Sequence, residues 1–243
     1  MKSLIKYIKI IRYGLQFRTM MLLTVLFIGM GVMFEMTLKF DNMFGMSLGG
    51  LYLGLVGAYS YQLITTPAVA KLVNASPIKK DLLTKAPVLI SLIISLFSFT
   101  IFILVRIFYN IGVRLPAEAA AHPGAEALLH VSILYCALLV FVLMIYSPIN
   151  FKFYWVGIAL LAAYVIGMLV FGNSMTVTAF AVEKYNDMIA AFGYNVTLAL
   201  LIAASYILIF LGAFIGYLFN CLTVKHEISE FSYRYSLKQA AAK

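Results

Sequence analysis

Few residues in this sequence have the types and spacing that chemistry requires, and the first of them is Ser47. The stretch from Gly45 to Gly49 matches G-x-S-x-G, the nucleophile elbow of serine hydrolases. That motif needs a strand-to-helix turn, an acid and a histidine, whereas Ser47 opens a long apolar segment. Hydrolysis by Ser47 with His130 is therefore kept only as a minor alternative.

Two charged residues, Glu35 and Arg106, stand inside otherwise apolar stretches. By the orientation derived below, both lie near the outer ends of their segments, where long side chains can snorkel towards lipid headgroups. We expect them to be able to meet there as an ion pair with a structural role. A proton-coupling role for Glu35 is the alternative.

Other catalytic or ligand-binding patterns are missing from the sequence. It has no G-x-x-x-x-G-K-[ST] phosphate loop, no H-E-x-x-H and no Cys/His cluster with metal-ligand spacing. Cys136 and Cys221 form no C-x-x-C pair and are expected to be two buried thiols. We therefore expect this chain to bind no cofactor or metal itself.

The elements that position these residues are predicted by composition. Apolar residues make up 64% of 243 positions, charged residues 11%, and the mean hydropathy is +1.00, against about 45–50% apolar and about 25% charged in soluble domains. Apolar segments of about twenty residues, enough to cross a membrane as helix, lie at residues 20–38, 44–64, 87–107, 128–145, 154–171 and 197–218. The sequence predicts an all-α polytopic membrane protein with six transmembrane helices.

The net charge of +9 comes from 18 Lys and Arg residues against 9 Asp and Glu. Most basic residues fall on the side of the N-terminus, and the opposite side carries mainly Lys39, Arg114 and Lys184. Because basic residues stay in short cytoplasmic loops, both termini are predicted to be cytoplasmic in a multi-pass protein of the cell membrane. The charge thus follows topology, and no nucleic acid partner is expected.

The remaining segments complete a single domain over residues 1–243. Residues 1–19 place Leu4, Ile8, Ile11 and Leu15 on one face and lysines on another, which predicts an interfacial amphipathic helix. The bundle then spans residues 20–220, and residues 221–243 form a polar cytoplasmic tail. The external segment 172–196 is too apolar for a solvated loop and is expected to fold back as one or two short helices.

Small residues recur at four-residue spacing along two of the apolar segments. The positions are Gly50, Gly54 and Ala58 in the second span, and Gly212 and Gly216 in the sixth. Such small-x-x-x-small patterns let helices approach closely. Packing within one subunit is favoured, and a subunit interface or a pore-lining groove is the alternative.

A polar and basic island separates the second and third apolar segments. Ser76 suits a helix N-cap and Pro77 the first helical turn. Ile78 and Leu82 then share one face, with the lysines elsewhere. The island is predicted to be a short cytoplasmic helix.

With this island, the sequence resembles the permeases of type-2 ABC exporters. In that family the loop between spans two and three carries a coupling helix with a small, Pro, aliphatic, basic, basic, acidic, aliphatic pattern. The matching residues are Ser76, Pro77, Ile78, Lys79, Lys80, Asp81 and Leu82. The basic N-terminal helix, the six spans and the re-entrant external segment before the last span extend the resemblance over nearly the whole chain.

The resemblance implies a non-catalytic permease subunit that pairs with a second permease, most simply a copy of itself. Two separate ABC-type ATPase subunits would bind ATP and Mg²⁺ and dock on the coupling helix. Their cycle would move a hydrophobic or amphipathic substrate, such as a peptide, an antibiotic or a lipid, out of the cell. A carrier or channel working without ATP, with Glu35 as its coupling group, is the alternative function.

Overall fold

The computed structural model describes residues 17–37, 47–68, 79–118, 124–172 and 174–223, and this part of the chain is helical throughout, without strands. The helices, numbered in chain order, are α1 (Phe17–Thr37), α2 (Leu48–Ala68), α3 (Lys79–Leu83), α4 (Lys85–Leu104), α5 (Leu115–Glu118), α6 (Ala125–Lys152), α7 (Tyr154–Gly172), α8 (Met175–Phe192) and α9 (Tyr194–Leu222). A π-helical segment, Val105–Arg114, continues α4.

Three of these helical stretches are long and apolar enough to cross a membrane: Lys85–Arg114, Ala125–Lys152 and Tyr194–Leu222. Shorter apolar stretches lie in α1 and α7. Each predicted span overlaps one helix, so the all-helical fold is confirmed and is compatible with a membrane protein, while the number of six spans and their segments stay predictions. Residues 1–16 of the interfacial helix predicted over residues 1–19, and residues 224–243 of the predicted tail, lie outside the described residues.

Helix α6 forms the centre of the bundle, packed against α2, α7, α8 and α9. Its buried residues Ile133, Ala137 and Val140 join Phe99 of α4 and Ile209 of α9 in one apolar core. Many large apolar side chains on the outer surface of the bundle, for example on α7 and α9, are exposed in the isolated chain. Such a surface is compatible with a lipid environment.

Glycines allow the helices of this bundle to approach closely. A Cβ atom on Gly54 would lie 2.6 Å from Leu139 of α6, and one on Gly216 would lie 2.6 Å from the carbonyl oxygen of Met144. Gly212 likewise faces the Phe141 backbone, at 2.9 Å from its carbonyl oxygen. These glycines therefore pack against helices of the same chain.

Serines of α4 line the contact with α2. Ser91 donates to the carbonyl oxygen of Gly57 at 2.7 Å, and Ser98 donates to that of Leu53 at 2.7 Å. A Cβ atom on Gly57 would collide with Ser95 Oγ. Small and hydroxyl-bearing residues are the kind that hold membrane helices together.

Two expectations need correction or refinement. Cys136 is buried as expected, but Cys221 is exposed, because it lies on the outward face of the last turn of α9. Within the segment 172–196, which was predicted to be external, residues Met175–Phe192 form the helix α8, and this helix packs against α6 and α9.

Candidate functional site

The helix predicted to dock a partner, α3, is a single short helix between α2 and α4, in contact with both. Lys80 is exposed, Asp81 is half-buried and Leu83 is buried. Thr84 closes the helix, since its backbone N–H and its hydroxyl both donate to the Lys80 carbonyl, at 3.1 Å and 2.8 Å. Residues 76–78 of the predicted motif lie outside the described residues, as do the side chains of Lys79 and Leu82.

A neutral hydrogen-bond network, the Asn220 network, lies directly beneath this helix and consists of Tyr61, Thr84 and Asn220. The Tyr61 hydroxyl donates to Asn220 Oδ1 at 3.1 Å, and Asn220 Nδ2 donates to the Thr84 carbonyl at 3.4 Å. All three residues are at most 3% exposed. The network joins α2, the α3–α4 junction and the end of α9.

The same end of the bundle holds a buried lysine, Lys152, at the end of α6. Its ammonium group donates to the Thr223 carbonyl, just after α9. A cation is favourable beside the free carbonyl groups at the end of a helix. The ends of α6 and α9 are therefore fastened to each other as well.

A charged network, the Glu35 network, lies at the other end of α2 and consists of Glu35, Ser47, Arg106 and Asn110. Arg106 Nη2 lies 2.7 Å from Glu35 Oε1, and neither side chain has any exposed area. Asn110 Nδ2 donates to the same carboxylate oxygen at 3.2 Å, and Ser47 Oγ donates to the other one at 2.7 Å. The Arg106 guanidinium also packs over the Phe102 ring, 5.1 Å from its centroid.

The π-helical segment carries two members of this network. The Leu115 N–H donates to the carbonyl of Asn110, five residues earlier, which is the wide turn of a π-helix. Arg106 and Asn110 are the buried residues of the segment. π-Helical turns concentrate at functional sites, and this one places both side chains against Glu35.

Ser47 has a role that its sequence motif did not indicate. Its hydroxyl oxygen accepts from the Gly50 N–H at 3.0 Å, and its carbonyl accepts from the Leu51 N–H at 2.9 Å. Ser47 is thus the N-cap of α2, the position where serine satisfies a free N–H group. The same hydroxyl oxygen accepts from Arg106 Nη2 at 2.9 Å.

The arrangement bears on two uses of these residues considered from the sequence. Glu35 and Arg106 do form an ion pair, but they do not snorkel to headgroups, because both are enclosed by α1, α2 and the π-helical segment. Ser47 caps α2 and its hydroxyl bonds Glu35, so among the described residues its hydroxyl belongs to the Glu35 network.

His130 belongs to a different cluster. Its Nδ1 bonds the Glu126 carbonyl at 2.8 Å and its Nε2 lies 3.3 Å from the Tyr194 hydroxyl. The ring stacks on Tyr185 with centroids 5.2 Å apart, which fastens α8 to α6. In the described part of the chain, both ring nitrogens are engaged away from Ser47, so the structure does not assemble a serine–histidine pair.

Sequence reasoning missed Asn110, Asn220 and Tyr61. A signal was present for the two asparagines, because an amide inside an apolar helix is costly unless it is paired.

Comparison of the chain with models of protein families, with curated proteins and with solved structures found no match. The assignment of a function therefore depends on the molecule's own geometry.

Proposed function

We propose that this protein is the permease subunit of an ATP-driven exporter of the type-2 ABC class. The observation that carries the proposal is α3, a short basic helix that lies in the chain between the apolar helices α2 and α4. One side of this junction is buried through Leu83 and Thr84, while Lys80 is exposed. A helix that packs against the bundle on one side and exposes a lysine on the other is suited to contact a partner and to pass its movement to the bundle.

The chain has no phosphate loop of its own. In the proposal, two ABC-type ATPase subunits therefore supply the energy, binding ATP and Mg²⁺ and docking on the segment Ser76–Leu82, which was predicted to be the coupling helix. Two permease chains, most simply two copies of this one, form the pathway in the cell membrane. In the proposed topology, with six spans and both termini in the cytoplasm, α3 is cytoplasmic and faces the ATPase subunits. The distribution of basic residues favours this topology.

The cargo class follows from the resemblance and the apolar surroundings. A hydrophobic or amphipathic molecule, such as a peptide, an antibiotic or a lipid, would move outward along a bundle rich in aromatic residues. This chain contains 16 Tyr and 19 Phe residues. The permease itself carries out no covalent chemistry.

The second candidate is an ion-coupled carrier that uses Glu35. Its support is a carboxylate buried within the bundle, which in membrane helices is a functional-site hypothesis by default. Against it, Arg106 balances the charge and both carboxylate oxygens already accept hydrogen bonds. A group engaged by donors on both oxygens is better suited to hold helices than to exchange a proton.

The test is charge reversal on the docking helix. Lys79→Glu combined with Lys80→Glu is expected to leave the protein inserted and folded while detaching its ATPase subunits. Lys184→Glu, at an exposed lysine of α8, is the matched control and should retain them. Undiminished ATPase binding in the double variant would contradict the docking role, and ion-driven transport by liposomes without any ATPase would favour the carrier.

A further inference from the structure

Asn220 lies where three helical segments that are distant in the sequence meet. Tyr61 comes from the second half of α2, Thr84 from the α3–α4 junction and Asn220 from the last turn of α9. Its amide uses its acceptor for one partner and its donor for the other. A single side chain therefore connects both neighbours of the docking helix to the end of the last helix.

The connection is made at the junction between α3 and α4. Thr84 is the only residue between the end of α3 at Leu83 and the start of α4 at Lys85. Its backbone, with φ −115° and ψ −71°, lies in the right-handed helical region but away from the average helical angles. Because Asn220 bonds the carbonyl of this residue, a tilt of α3 about the junction pulls directly on α9.

A displacement that reaches α9 is passed on to the centre of the bundle. One turn before Asn220, Gly216 packs against the Met144 backbone of α6 with no room for a side chain. Just after Asn220, the Lys152 ammonium group holds the Thr223 carbonyl to the end of α6. Because tightly packed helices transmit strain to one another, a shift of the end of α9 is expected to displace α6 as well.

We propose that Asn220 is the positioning residue through which movement of the docking helix α3 reaches α9 and α2. The proposal rests on the proposed function, since an ATPase must supply the movement. Tyr61 shares the task by fixing the orientation of the Asn220 amide. The network is uncharged, so its bonds can break and re-form within a transport cycle at low cost.

Asn220→Leu removes both bonds with a side chain of similar size, whereas Asn220→Asp keeps the acceptor for Tyr61 and loses the donor to Thr84. Thr84→Val is the matched control, because it removes the hydroxyl bond to the Lys80 carbonyl within α3 but leaves the Thr84 carbonyl that Asn220 bonds, so any rise in exchange should stay within residues 79–85. The first measurement is hydrogen–deuterium exchange of the purified, lipid-reconstituted protein without any ATPase. We expect exchange in residues 79–85 and 217–223 to rise together by about fivefold in both Asn220 variants.

Unchanged exchange in Asn220→Leu, or an equal increase in residues 217–223 of Thr84→Val, would overturn the link whether or not the protein is a permease. Exchange that rises around residue 220 alone, with residues 79–85 unaffected, would overturn it as well. Because no ATPase is present, this result is separate from the fate of the proposed function.

The second measurement asks whether the link carries movement. Cys221 is exposed and adjacent to Asn220, while Cys136 is buried, so a maleimide reports on the end of α9. In the complex with its ATPase, ATP plus vanadate is expected to change the Cys221 labelling rate in the wild-type protein. Asn220→Leu should lose this nucleotide-dependent change while ATP hydrolysis continues, and Thr84→Val should keep it. The same change in Asn220→Leu would overturn the proposal.

Discussion

The Glu35 network and the Asn220 network hold the same helix, α2, at positions about 21 Å apart along its axis. The first contains a full charge pair and a capping serine, and it joins α2 to α1 and the π-helical segment. The second contains only neutral groups, and it joins α2 to α9 and the α3–α4 junction. Both are buried.

The difference lies in what it costs to open each network. Separating a buried charge pair leaves an uncompensated charge in an apolar medium, which is strongly unfavourable. A neutral hydrogen bond between membrane helices contributes on average only about 0.6 kcal/mol, because its groups find other partners. The Glu35 network is therefore expected to act as a fixed anchor, and the Asn220 network as the end at which helices rearrange.

The largest effect is expected at the charged anchor. Arg106→Met leaves the Glu35 carboxylate buried without its cation and should lower stability by about 3–5 kcal/mol. Thermal unfolding in mild detergent would measure this loss. The double variant Glu35→Leu with Arg106→Met removes both charges and should recover most of the stability. A single variant as stable as wild type would remove the distinction between the two networks.

The next effect concerns the close approach of α1 and α2 beside the same anchor. A Cβ atom on Gly49 would lie 2.7 Å from both the Gly31 carbonyl oxygen and Glu35 Cβ. Gly49→Ala should therefore destabilise by about 1–3 kcal/mol through overpacking. Gly29→Ala is the control, since a Cβ atom there meets nothing within 4 Å among the described residues. Equal unfolding temperatures for the two variants would contradict this packing.

A smaller effect on stability is expected at the neutral network. Tyr61→Phe removes the hydroxyl that bonds Asn220 and keeps the aromatic ring, so the loss of stability should be about 0.5–1.5 kcal/mol. Unfolding measured beside Arg106→Met under identical conditions gives the comparison directly. If Tyr61→Phe were the more damaging of the two, the roles assigned to the ends of α2 would be reversed.

No effect on stability is expected for the exposed ion pair of α8. Lys184 Nζ lies 2.9 Å from Asp187 Oδ2, and both side chains are more than half exposed. The Asp187 carboxylate raises the pKa of Lys184, but solvent and salt screen such pairs. Lys184→Met should unfold at the same temperature as the wild-type protein, and a clearly lower unfolding temperature would show that α8 depends on this ion pair.

Much of this organisation could be predicted from the sequence, because apolar runs near twenty residues specify membrane-type helices whatever their partners. Glu35 and Arg106 were recognisable as possible partners because charges in such runs are rare. The burial of the pair was not predictable, since it depends on the π-helical turn that rotates Arg106 and Asn110 towards α1. Tyr61 and Asn220 are separated by 159 positions, and their contact follows only from how α9 is rotated against α2.

The most direct test of the proposed function is site-specific photo-crosslinking from position 80 in intact cells. Lys80 is exposed on α3, and Trp155 of α7, at 79% exposure, provides a control position on an apolar surface. A photo-reactive residue at position 80 is expected to crosslink to a subunit that mass spectrometry identifies as a P-loop ATPase, and one at position 155 is not. An inserted protein that crosslinks to no ATPase from position 80 would contradict the assignment of α3 as a docking helix.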